Sequence, residues 1–230
     1  VLTRNPRGTS LPPGVDAAFW DGRSAGKWWE HIAAAGAVIN LVGEPVNARR
    51  WSIRQKAKIV ESRVHATRAI VDAMAPLSGP RILINASGVG YYGPIADGEV
   101  REDHAQGTGF LAETCGLWER EAIRAERSGT RVVRLRMGVV LGEHGGALEK
   151  LLIPFRLFLG GPIGTGRQWF PWIHREDVAE IILFVLERAS ITGALNLAAP
   201  ESVTMEDFCL TLGKVLHRPC GLRVPAGLLR

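Results

Sequence analysis

Apolar runs and apolar stripes alternate along the first two thirds of the chain. Residues 37–42 (AVINLV) and 81–86 (RILINA) are short, nearly continuous apolar runs, the mark of strands buried on both faces. Residues 131–135 (RVVRL) predict a third strand and residues 193–197 a further one. Between them the period changes. Across 52–74 the apolar positions fall at Ile59/Val60, Val64, Thr67, Ile70/Val71 and Met74, one face of a helix. Residues 110–127 predict another helix, stopped at Ser128-Gly129. Strands separated by helices of this length imply a parallel sheet with right-handed crossovers, so the expected fold class is α/β, a doubly wound parallel sheet.

Past Gly142 the rhythm breaks. Gly145-Gly146, Gly160-Gly161-Pro162 and Gly164-Thr165-Gly166 punctuate loops around one helix, 147–158. Residues 169–172 (WFPW) read as a strand, followed by a helix over 175–188. A helix over 204–216 opens on Thr204-x-x-Asp207, a weak capping box, and Pro225 reads as the start of another.

Composition alters this picture little. The net charge is +5, but arginines are interspersed with acids, as in Arg120-Glu121 and Arg124-Ala125-Glu126-Arg127, which describes a solvated surface and not a nucleic-acid interface. No apolar run approaches the ~18 residues of a membrane helix. The three cysteines, Cys115, Cys209 and Cys220, are widely spaced, which fits neither a disulfide framework nor a metal site. The expectation is a cytoplasmic protein whose partner is a small molecule, with no nucleic acid, membrane or metal, and with the oligomeric state open.

In a doubly wound sheet the ligand lies over the carboxyl ends of the strands. After the opening strand-like Val1-Leu2-Thr3 comes Arg4, where an acid would select NAD and an arginine complements the 2′-phosphate of NADP. After the second strand comes Leu41-Val42-Gly43, a glycine that lets backbone approach a ligand. After the third comes Ser87-Gly88-Val89-Gly90-Tyr91-Tyr92-Gly93, a hydroxyl, glycines and two phenols where a reacting group would sit. Asp177 reads as a helix-start acid, His174 as a structural histidine and Cys115 as a packed residue.

The segments VLTRNP, INLVGEP, RRW, ESRVHATRAIVDAM, SGVGYYG, RLRMGVVLG and above all LLIPFRLFLGGPIGTGRQWFPWIHREDV resemble the epimerase-like family of the extended short-chain dehydrogenase/reductases. The resemblance implies a Rossmann-type domain over 1–141 and 174–198. It also implies a smaller substrate-capping lobe over 142–173 and 199–230. It implies NADP in preference to NAD, with Thr3 and Arg4 at the adenosine phosphate end and Leu41 and Val42 along the middle. Arg63 falls on the helix that follows, and Val140 near the nicotinamide. The loop over 160–172 would form a substrate wall, with Arg167 and Gln168 as polar contacts.

Two departures from the resemblance matter. The family's first strand and its G-x-x-G-x-x-G turn are absent, so the chain reads as N-terminally truncated, its sheet lacking the central strand. Residues 1–230 alone are then expected to bind NADP poorly. The superfamily's tyrosine, with a lysine four residues later, is absent too: four after Tyr91 is Ile95 and four after Tyr92 is Ala96. What remains for catalysis is Ser87, Tyr91 and Tyr92. The leading reading is an oxidoreductase or epimerase-like enzyme transferring hydride on a small or nucleotide-linked substrate. The alternative is a non-catalytic NADP-binding protein with a regulatory or interaction role, such as one linked to cell division.

Overall fold

The structure, a computed structural model, describes residues 1–76, 81–143 and 146–223, so the helix expected from Pro225 lies outside the described residues. The chain runs β1 (Leu2–Thr3), β2 (Ala18–Phe19), α1 (Trp29–Ala34), β3 (Ala37–Asn40), α2 (Ile53–Met74), β4 (Ile82–Gly88) and α3 (Phe110–Ile123). It continues through β5 (Arg131–Met137), β6 (Val139–Leu141), α4 (Gly146–Arg156), β7 (Trp172–His174), α5 (Arg175–Glu187), β8 (Gly193–Leu197) and α6 (Met205–Leu216). A four-stranded parallel sheet has the order β3-β4-β5-β8, and β1-β2 and β6-β7 form two further parallel pairs. This is the parallel α/β architecture expected.

Both faces of the main sheet are covered. Val38, Leu83 and Val132 point toward α2 and α3 and pack with Ala66, Ile70, Val71 and Ala122. Ile84, Val133, Leu135 and Leu197 point the other way, onto Val178, Ile182 and Val185 of α5. Each such buried aliphatic side chain contributes roughly 1.5–3 kcal/mol. A third cluster, Leu141, Phe155, Phe170, Met205 and Cys209, joins β6, α4 and α6. The pair β1-β2 shares no ladder with β3, although Leu2 and Trp20 enter the same core as Val38. At that side of the sheet Ile39 is 44% exposed and Leu41 58%.

Several boundaries have local causes. β3 ends at Asn40, two residues before the apolar run does, because the Asn40 side-chain carbonyl accepts the Val42 N–H at 3.2 Å and turns the chain out of the strand. The Ser52 hydroxyl caps α2 by accepting from the Gln55 N–H. α3 gives way after Ile123 to a tighter turn over Arg124–Ser128, ended by Gly129 at φ 77°. Thr204 and Asp207 form the full reciprocal capping box of α6. The His174 side chain caps α5, accepting from the Glu176 N–H. Two of the scattered arginines cap helix ends: Arg81 donates to carbonyls at Ile32, Ala33 and Ala35 behind α1, and Arg131 to Val185, Arg188 and Ile191 behind α5. The WFPW segment is a strand only from Trp172 onward; Trp169 makes an isolated bridge to Thr204.

The turn after β2 carries a pH-dependent contact. Asp21 accepts from the backbone of Arg23 and Ser24 and from the Ser24 hydroxyl at 2.6 Å, which lowers its pKa to about 2. The Ser24 carbonyl in turn accepts both the Trp20 and the Trp28 indole N–H. A depressed carboxylate stabilises the fold fully above its unfolded value near ~3.9 and stops doing so as the pH falls through about 2. Asp21→Asn should therefore lower stability at neutral pH, by less than about 1 kcal/mol at so exposed a site. Urea melts at descending pH should show the gap to the parent closing between pH 4 and 2; a gap independent of pH removes the argument.

Candidate functional site

Polar side chains interrupt the buried strands toward their carboxyl ends, all on the face that meets α2 and α3. The first row is Asn40 and Asn85, register partners on β3 and β4. Asn40 Nδ2 donates to Asn85 Oδ1 at 2.7 Å and to Thr67 Oγ1 at 2.8 Å, and Trp118 Nε1 donates to the same hydroxyl at 2.9 Å. All four residues are buried, and the bonds between them answer polar groups that would otherwise cost a few kcal/mol apiece.

The next row outward is Ser87, Arg136 and Asn196, paired across β4, β5 and β8. Over it α3 delivers Glu119, whose side chain is 3% exposed. Glu119 Oε1 accepts from Ser87 Oγ at 2.7 Å and from Arg136 Nε at 2.9 Å. Oε2 accepts from Arg136 Nη2 and Arg134 Nη1, each at 2.9 Å. The fork of Arg136 thus grips the carboxylate with two parallel bonds. Burial disfavours the Arg136 charge, yet the bonds to Glu119 and Tyr92 outweigh it and raise its pKa above the ordinary guanidinium value. Arg136 Nη1 donates to the Tyr92 hydroxyl at 2.9 Å and to the Glu102 carbonyl at 3.0 Å. The Tyr92 hydroxyl in turn donates to Asn196 Oδ1 at 2.5 Å.

The three hydroxyls named from the sequence are thereby separated. Ser87 is 4% exposed and donates to Glu119; Tyr92 is 5% exposed and donates to Asn196. Tyr91 is half-buried, its ring lies 3.6 Å from the Arg136 guanidinium, and among the described residues its hydroxyl has no hydrogen-bond partner. Cys115 packs beside Ser87 and Gly88, and burial pushes its thiol up against their hydrogen bonds. The glutamate, the two arginines, Asn196 and the Asn40–Asn85 pair escaped the sequence reading. Their signal was present: an amide or a guanidinium inside a strand buried on both faces needs a partner, and RVVRLRM carries two such groups a pleat apart.

The residues expected to hold a cofactor fall at or just past the ends of β1 and β3, on α2 and within β6. Arg4 follows β1, exposed and without an ion-pair partner among the described residues, and Thr3 Oγ1 accepts the Asn5 N–H. Leu41 and Gly43 are exposed past β3, with Val42 half-buried between them. Arg63 lies beneath this loop: it donates to the carbonyls of Glu44 and Ile59, stacks over Trp118 at 5.0 Å, and would clash at 2.9 Å with a Cβ on Gly43. Burial lowers its pKa, opposed by Cys115 and Glu44. Val140 pairs with Ile173 between β6 and β7. Arg167 is exposed, while Gln168 Nε2 turns back to the Ile163 carbonyl at 2.8 Å. Two contacts tie the α4–α6 region to the loops above the sheet: Lys150 Nζ donates to the Asn47 carbonyl at 2.7 Å and Trp169 Nε1 to the Ala96 carbonyl at 3.2 Å.

Residues 17–198 match the family described as NAD dependent epimerase/dehydratase. This chain belongs to that family. Among its curated relatives, the chloroplastic epimerase family protein SDR39U1 homolog of Arabidopsis thaliana is 40% identical over 202 residues, covering 86% of this chain and 58% of the relative. The chain therefore spans a little over half the length of that protein. The human epimerase family protein SDR39U1 (isoform 2), solved with NADPH, is 33% identical with a TM-score of 0.81, covering 99% of this chain and 74% of the other. UDP-glucuronic acid 4-epimerase of Bacillus cereus, solved with UDP-glucuronic acid and NAD, is 18% identical with a TM-score of 0.78, over 91% of this chain and 68% of the other, and shares the fold. Structures similar to this chain have thus been solved with either dinucleotide. No helix among the described residues is long and apolar enough to cross a membrane.

Proposed function

We propose that this epimerase/dehydratase-family chain is the core of an NADP-dependent oxidoreductase or epimerase-like enzyme, with Tyr91 exchanging the proton that accompanies hydride transfer on a small or nucleotide-linked substrate. The observation that carries the reading is the division of labour among the three hydroxyls: Ser87 and Tyr92 spend their protons inside the protein and Tyr91 does not. The residues present suit a dinucleotide. Arg4 is a cation at a strand end with no ion-pair partner among the described residues, and Gly43 leaves backbone exposed in the loop past β3. Thr3 and Arg4 would hold the adenosine phosphate, Leu41, Val42 and Gly43 the middle, and Val140 the nicotinamide side. The nicotinamide supplies the hydride when bound. Tyr91 then donates to, or accepts from, the substrate oxygen; Arg167 and the exposed face of the loop over 160–172 orient the rest of the substrate.

The test, on the chain preceded by the family's first strand and glycine-rich turn, follows NADPH oxidation across a panel of aldehydes, ketones and oxidised sugar nucleotides. Tyr91→Phe should slow turnover roughly 100-fold with NADPH affinity unchanged. Tyr92→Phe should chiefly lower stability, because it removes the bridge between Arg136 and Asn196. Parental rates in Tyr91→Phe would falsify the assignment. Tight NADPH binding with no turnover of any panel member favours the non-catalytic reading.

A further inference from the structure

The superfamily's tyrosine and lysine sit four residues apart on one helix, and the lysine fixes a positive charge beside the phenol. Here the same four-residue step on α3 joins Cys115 to Glu119, and both side chains meet Ser87. The charge at the second position is negative, and it is used internally. Glu119 lies between two guanidiniums, Arg134 and Arg136, so the buried cluster keeps one net positive charge. Arg136 is the member of the cluster that faces the tyrosines. The Arg136 guanidinium lies 3.6 Å from the Tyr91 ring centroid and 5.0 Å from that of Tyr92, and its Nη1 bonds the Tyr92 hydroxyl. The Tyr91 and Tyr92 rings meet edge to face at 5.4 Å.

We propose that Arg136 is the positioning cation of this site: held by Glu119, it fixes the Tyr91 ring and supplies from strand β5 the positive charge that a lysine supplies from the helix elsewhere in the superfamily. The inference rests on the role given to Tyr91 above. The geometry leaves Arg136 little freedom. Nε and Nη2 are taken by the carboxylate, Nη1 by Tyr92 and the Glu102 carbonyl, and only the flat face of the guanidinium is left to stack. A planar cation pinned at its edges and open on its face sets the plane of the ring against it, and thus the direction of the phenol. Negative charge developing on the Tyr91 oxygen during proton transfer is stabilised by a neighbour that does not have to reorganise. Lysine at the same position would keep the charge but lose the fork and the stacked plane.

The chain contains only two tyrosines, both at this site, so ring-labelled tyrosine gives a two-residue NMR spectrum of the full chain. Tyr91→Phe and Tyr92→Phe assign the signals. The Tyr91 ring is expected to show through-space contacts to guanidinium protons in the unmodified protein. In Arg136→Lys its signal should move and its ring averaging quicken, while Glu121→Gln, in a separate surface ion pair on the same helix, moves neither signal. In the NADPH assay Arg136→Lys should lower kcat about tenfold with KM within about twofold, and Arg136→Lys/Tyr91→Phe should be no slower than Tyr91→Phe alone. Additive losses in the double variant overturn the proposal, as does an unmoved Tyr91 signal in a folded Arg136→Lys. If that variant does not fold, absence of the guanidinium contact in the unmodified protein overturns it. Unchanged turnover in Tyr91→Phe with the contact present defeats the Tyr91 assignment and leaves the packing intact, so the two failures are distinguishable.

Discussion

Glu119→Leu should destabilise the protein by about 3–5 kcal/mol, a large share of the roughly 5–15 kcal/mol that holds a domain together. The substitution leaves two guanidiniums, 3% and 17% exposed, without the carboxylate that neutralises them, and deprives Ser87 of its acceptor. Urea unfolding followed by tryptophan fluorescence measures the loss as a lower midpoint. The cost is that of stranding buried charge, so removing all of the charge should return most of it. A triple variant, Glu119→Leu with Arg134→Leu and Arg136→Met, is expected to unfold nearer the parent midpoint than the single variant does, because well-packed apolar replacements of buried ion pairs are often neutral. A single variant within 1 kcal/mol of the parent would show that water or neighbouring backbone already satisfies the arginines.

Arg4→Glu carries the second large effect and bears on the choice between the two dinucleotides. If Arg4 meets the 2′-phosphate, the substitution removes a charge-assisted hydrogen bond worth about 1.5–3 kcal/mol and weakens NADP binding roughly ten- to a hundredfold. NAD lacks that phosphate, so its affinity should change little. Titration calorimetry with both cofactors, on the chain preceded by the family's first strand and glycine-rich turn, provides the comparison. Equal affinities for NADP and NAD in the parent protein would remove the reason for placing Arg4 at the phosphate.

The sheet and its helices were legible because both periodicities are strong. The runs at 82–86 and 131–135 and the stripe from Ile59 to Met74 have one physical solution, a parallel strand or a helix packed over it. The short pieces were not legible. β2 and α1 are two and six residues long, too short to show a period, and they are held by Trp20, Trp28 and Ile32 entering a distant core. The candidate site was half legible. Glycines and hydroxyls after β4 mark the loop at once. Which hydroxyl stays available depends on Glu119, 32 residues from Ser87, and on Asn196, 104 residues from Tyr92. Separations of that size are settled by topology, and only the misplaced polarity of RVVRLRM announced them.

Among the described residues, the hydrogen bonds from Lys150 and Trp169 that tie the α4–α6 region to the loops above the sheet both end on main-chain carbonyls, at Asn47 and Ala96. A carbonyl is present whatever side chain the residue bears. Positions 47 and 96 can therefore change identity without undoing the attachment, provided the loop keeps its path. The attachment is in this sense written in two layers: a fastening indifferent to sequence, and the side chains at 47 and 96, which take no part in it. A lineage could exchange both side chains without first rebuilding the attachment beneath them.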